Sequence, residues 1–157
     1  MSDRDIIKKQ DQGVLNSSGL ANPRKAIGEL NEETFVFDLD ADAGQAERGI
    51  TCRKPFVVRA VELTPSTALA AHASNYTTFT ARKRPAGALG TPATVAALST
   101  NSSGGVSLVA WTKAAMPLSA TAADRKFAVG DVLTVLSAET GTPTSPIGTV
   151  AVTVEYL

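Results

Sequence analysis
Hydrophobic and polar positions alternate along most of the chain after residue 33, and hardly at all before it. The end shows the pattern most cleanly: in Gly148-Thr149-Val150-Ala151-Val152-Thr153-Val154-Glu155-Tyr156-Leu157, Val150, Val152, Val154 and Tyr156 share one face of a strand. Ala151, Thr153 and Glu155 share the other, which is the period of a half-buried strand. The same reading predicts strands over Thr34–Asp40, with Phe35, Phe37 and Leu39 on one face, and over Phe56–Leu63, Asn75–Lys83 and Pro92–Ser99. Further strands are expected at Val106–Thr112, Val132–Ala138 and Ile147–Tyr156, with a short segment at Ala115–Ser119 and a helical turn at Ala122–Lys126. Pro, Gly and Asn clusters such as Thr64-Pro65 and Asn101-Ser102-Ser103-Gly104-Gly105 punctuate the segments. About eight short strands with such turns predict an all-β fold, a jelly-roll-like antiparallel β-sandwich. Alanines at Ala93, Ala97 and Ala110 are expected on inner faces, where they would let two sheets lie close.

Residues 1–33 read differently. Five positive and six negative side chains surround sparse apolar ones, Ile6, Ile7, Val14, Leu15, Leu20, Ile27 and Leu30. Asn22-Pro23 suits the start of a helical turn through Arg24, Lys25 and Ile27. Such a segment cannot bury enough apolar surface to fold alone. The chain therefore divides into an extended N-terminal arm, 1–33, and a β-sandwich domain, 34–157. The arm is expected to order only on partners. Ile6, Ile7, Val14, Leu15, Leu20, Arg24, Lys25 and Ile27 are its candidate anchors.

Composition narrows the function more by exclusion than by signature. The 157 residues carry formal net charge zero, so no long-range field draws the chain to nucleic acid or anionic lipid. Pro85–Thr112 is uncharged, yet Pro, Gly, Asn and Ser interrupt it too often for a membrane span. The beginning, Met-Ser-Asp-Arg-Asp, has no apolar signal core, and synthesis in a cytoplasm is expected. A lone cysteine, Cys52, allows neither an internal disulfide nor a thiolate zinc cluster, and is expected to be a buried or semi-buried small side chain.

Asp38, Asp40 and Asp42 alternate as in a calcium loop, but Ala43 and Gly49 stand where that loop needs Gly and Glu; a wet strand face is the simpler account. His72 is the one histidine and has no obvious catalytic partners, so it is expected to face solvent or an interface. Gly87-Ala88-Leu89-Gly90 lacks the Lys-Ser/Thr of a phosphate loop. The basic runs Arg53-Lys54 and Arg82-Lys83-Arg84 lack interleaved aromatics; the second is read as a solvated strand end or a contact with an acidic protein surface. No cofactor, metal or catalytic residue is expected. Residues 85–157 hold three positive and four negative charges, sparse for a monomer surface and suited to cover by identical copies.

Val57-Val58-Arg59-Ala60-Val61-Glu62-Leu63-Thr64-Pro65, Asn75-Tyr76-Thr77-Thr78-Phe79-Thr80, Gly105-Val106-Ser107-Leu108, Val129-Gly130-Asp131-Val132-Leu133-Thr134-Val135 and Gly148–Tyr156 together resemble the head decoration, or cement, proteins of tailed bacteriophages. The resemblance covers roughly residues 50–157 and leaves the arm outside. It implies a small sandwich on the outer capsid surface, a homotrimer or dimer, whose partner is the major capsid protein. It also implies clamping of adjacent subunits without chemistry, in a virion assembled in a bacterial host. The alternative is a fibre-type or carbohydrate-binding sandwich for host-surface attachment. Such a module would show aromatics in its longer loops, and Ser66–Ser74, Pro85–Thr91 and Thr140–Pro146 contain none.

Overall fold
Residues 31–39, 47–87 and 91–157 are described by the structure, a computed structural model. The anchors expected in the arm, Ile6 to Ile27, lie outside the described residues, as do Asp40 and Asp42. Thr34–Leu157 forms one compact unit.

The strands are β1 (Glu32–Leu39), β2 (Arg48–Thr51), β3 (Phe56–Pro65), β4 (Tyr76–Arg84), β5 (Ala93–Ser99), β6 (Ala114–Ala115), β7 (Lys126–Phe127), β8 (Val132–Thr140) and β9 (Gly148–Tyr156). One four-residue helical turn, α1 (Ala122–Arg125), precedes β7. They form two sheets, ordered β1-β9-β3-β6 with β7 also on β3, and β2-β8-β4-β5. Apart from β4–β5 and β6–β7, successive strands pass from one sheet to the other, and each sheet's central pair, β9–β3 or β8–β4, joins strands far apart in sequence. That interleaving is the jelly-roll order, two Greek keys wrapped around one core. The fold is all-β, an antiparallel β-sandwich, as the alternation predicted.

Between the sheets lie Phe56, Val58, Val61, Leu63, Phe79, Val95, Phe127, Leu133, Val135, Val150, Val152 and Val154, each nearly or fully sealed from solvent. Burial of each such side chain stabilises by about 1.5–3 kcal/mol. Phe37 and Leu39 of β1 join the core and Phe35 packs against it, so the expected inner faces of β1 and β9 hold.

Two β-bulges change which residues face inward. On β3 the register with β9 steps from Val58↔Val154 to Ala60↔Thr153, leaving Arg59 as the extra residue. The buried face accordingly passes from Phe56 and Val58 to Val61 and Leu63, and Arg59 is turned out to pair with Glu155. On β5 the register steps from Ala81↔Ala96 to Arg82↔Thr94, so Val95 is extra and both Val95 and Ala96 are buried. This corrects the expectation for the alanines: Ala81 and Ala96 bring the sheets close, whereas Ala93, Ala97 and Ala110 are only partly buried.

The expected strand Val106–Thr112 is not formed. Its one ladder contact is Leu108, whose N–H and C=O bond Leu69 at 2.8 and 3.0 Å. Gly105 explains the break at its start: a Cβ there would lie 2.2 Å from the Ser99 carbonyl oxygen, and the chain turns tightly against β5.

Candidate interaction surfaces
The sandwich has two unlike ends. At one end meet the start of β3, the end of β9, β7 and the end of β4. Here Phe56 stacks on Phe127 at 4.7 Å, meets Tyr156 edge-on at 6.2 Å and neighbours Phe35 at 6.1 Å. Lys54 and Lys83 lie over the Tyr156 and Phe127 rings, each 5.9 Å from the centroid.

Asp131 organises the polar part of this end. Its carboxylate is buried and accepts hydrogen bonds from Ala86 N–H (3.0 Å) and Ala128 N–H (2.9 Å), with Lys83 Nζ at 3.9 Å. The tight turn that delivers it places Gly130 at φ +91°, a conformation open to glycine. Cys52 N–H bonds the Asp131 carbonyl at 2.7 Å, and the Cys52 carbonyl takes Gly130 N–H at 2.9 Å. The Cys52 thiol itself is buried and donates to the Lys54 carbonyl at 2.7 Å. Burial pushes its pKa up, which suits a packing residue rather than a nucleophile.

The basic run on β4 is largely engaged within the fold. Lys83 donates to the Ala123 and Lys126 carbonyls at 3.1 and 2.7 Å, tying the α1–β7 segment down. Arg84 grips Glu47 with two bonds, 3.0 and 2.8 Å, and these hold the Glu47 carboxyl below its usual range. Arg82 is partly exposed, and its charge also helps hold the Glu47 carboxyl below its usual range.

At the opposite end gather the segments 66–75, 100–113 and 141–147. His72 is exposed and acts as a clasp: its Nδ1 accepts Ser74 N–H at 3.1 Å and Asn75 N–H at 2.9 Å. Its backbone N–H bonds the Thr100 carbonyl, and its own carbonyl accepts Ser102 N–H. Hydrogen bonds to the Thr140 and Asn101 side chains hold the nearby Tyr76 phenol below its usual range. A recess of about 180 Å³ opens here, bordered by Leu69, His72, Asn75, Thr77, Thr100 and Thr142. Thr77 Oγ1 and Glu139 Oε1, on directly paired residues of β4 and β8, are buried without protein partners. A recess of that size, bordered by Thr77, suits ordered water.

Trp111 is the feature of this end that the alternation missed. It is 77 % exposed, with Val109 at 65 % and Val106 at 44 % beside it in the chain. Thr112 N–H bonds the Val109 carbonyl at 3.2 Å, which makes Trp111 the third residue of a tight turn. Its φ of +59° is the left-handed value that Gly or Asn usually supplies there. For a bulky side chain this costs about 1–2 kcal/mol, and the Trp111 N–H, bonded to the Pro65 carbonyl at 2.7 Å, holds it in place.

Among the described residues no cluster of three or more His, Cys, Asp or Glu could hold a metal ion, and no helix is long and apolar enough to cross a membrane.

No family model and no curated protein matches the chain. Among solved structures it aligns with structures of infectious bursal disease virus. The Gx strain gives 17 % identity and a TM-score of 0.29 over 78 % of this chain and 30 % of that one. The Gt strain gives 16 % and 0.30 over 79 % and 31 %. A mutant VP2 protein of the same virus, in derived T=1 particles, gives 17 % and 0.30 over 80 % and 30 %. The chain thus spans about a third of the length of these proteins. The jelly-roll assignment rests on the strand order itself, not on these alignments.

Proposed function
We propose that this protein is a structural component of a bacteriophage virion, made in the host cytoplasm and bound to the outer capsid surface without catalysing a reaction. In this reading the sandwich associates with copies of itself, and the arm, residues 1–33, lies over adjacent major-capsid subunits and clamps them. Many such contacts, repeated by capsid symmetry, would resist internal pressure through multivalency. The observation that carries the reading is the jelly-roll order joined to an apolar, nearly uncharged loop end. Jelly rolls serve as capsid and lectin domains, and the polar groups of the closed end are engaged in holding the fold.

The test is co-sedimentation with purified capsids lacking the protein. The full chain should pellet with them at saturating, stoichiometric occupancy. A variant lacking residues 1–30 should stay folded by circular dichroism and remain in the supernatant; equal occupancy by the truncated chain would rule out the clamping arm.

One observation favours the alternative, a carbohydrate-binding or fibre-type module. The sequence assigned Trp111 to a strand, whereas it stands on an exposed loop at the end that holds the recess, the kind of aromatic that stacks on a sugar. A glycan array with a reproducible ligand abolished by Trp111→Ala would favour that reading over capsid attachment.

A further inference from the structure
Trp111 is the one non-glycine residue with a left-handed φ among those described, and the protein's single tryptophan. Its side chain contributes little to the core, since most of it faces solvent. A fold optimised for itself would place Gly or Asn in this turn. The strain is instead retained at a residue whose side chain is held out in solvent, with the exposed Val109 and Val106 close to it in the chain. Strain and exposure are independent observations, and both mark a contact surface.

The charge around the loop selects the partner. Residues 85–112 are uncharged, and Lys113, the next residue, is neutralised by Glu62 at 2.9 Å. An acidic or basic partner would find nothing here to pair with, whereas an identical neutral surface meets it without repulsion. Trp111, Val109 and Val106 together expose roughly 300 Å² of apolar surface, the size of the largest apolar patch on an ordinary monomer, which is often a functional one. This is less than half of the roughly 800 Å² that each partner gives to a stable interface. It therefore fits the centre of a symmetric contact completed by polar neighbours.

We propose that the Trp111 loop is the anchor of self-association: a second copy of this chain packs its own Trp111 loop end against this one about a rotation axis. The proposal rests on the self-association part of the reading above and is tested without capsids. The isolated full chain should form a dimer or trimer in sedimentation velocity. Its tryptophan emission should shift to longer wavelength on dilution as the ring returns to water.

Trp111→Gly relieves the backbone strain while removing the anchor. At concentrations low enough for the parent to be monomeric it should unfold at the same or a higher temperature, yet it should associate at least about tenfold more weakly. Trp111→Asn, which also tolerates the left-handed turn, should behave alike. A parent that stays monomeric at all concentrations, a concentration-independent solvent-exposed emission, or undiminished association of both variants would overturn the proposal. None of these outcomes bears on capsid binding, which co-sedimentation reads separately.

Discussion

The two ends of the sandwich solve opposite problems with the same strands. At the Phe56 end, rings, cations and a buried carboxylate close the core: Phe56 stacks on Phe127 and meets Tyr156 edge-on, Lys83 reaches two carbonyls, and Asp131 satisfies two backbone N–H groups. At the Trp111 end, the loops are fastened by backbone bonds and by His72, while the largest side chain points away from the core. If the proposed self-association holds, the difference separates stability from contact. Substitutions at the closed end should cost folding, and substitutions at the open end should cost association.

The largest effect should follow from removing β9. β9 is the central partner of both β1 and β3, so a chain ending at Pro146 loses three fully buried valines, leaves β1 without its strand partner and opens one edge of β3. It should show no cooperative unfolding transition in circular dichroism. Next, Phe56→Ala empties the ring cluster and should cost about 3–5 kcal/mol in urea denaturation. Asp131→Ala strands the Ala86 and Ala128 N–H groups and should cost about 3 kcal/mol, at about 1–3 kcal/mol for each buried group left unpaired. If either change left stability untouched while altering association, the contrast between the ends would be broken.

Smaller effects sharpen it. His72→Ala removes the acceptor for two N–H groups that water can reach, so it should cost about 1 kcal/mol and speed hydrogen exchange in 72–75 more than elsewhere. The Arg84–Glu47 pair is the smallest. Because Glu47 is held below its usual carboxyl range in the folded state, its contribution is complete above the unfolded value near 4.5 and is lost as pH falls below it. Solvent screens both groups, so Arg84→Ala should change stability least of all these variants at pH 7. The difference from the parent should shrink further toward pH 3 in acid titrations of unfolding.

The fold was legible wherever an uninterrupted strand kept its period. β9 and β1 alternate without a break, and their inner faces are those expected. β2, β6 and β7 have four, two and two residues, too few for a period to register, and their pairing is set by the neighbours β8 and β3. At Arg59 and Val95 a bulge shifts the face midway, so a strict alternation names the wrong alanines. Val106–Thr112 alternates as well as a true strand does, but residue type does not reveal that Trp111 adopts a left-handed turn. Asp131, which follows Val129-Gly130 just before a strand, carried the one signal that was passed over: an acidic residue after a glycine turn often caps backbone N–H groups.

Electron cryo-microscopy of purified capsids mixed with the full chain tests the central claim most directly. Jelly-roll density repeated on the outer surface, with loop ends meeting around a symmetry axis and extended density running onto adjacent capsid subunits, is the predicted result. Bare capsids at saturating protein, with the chain left free in solution, would contradict it.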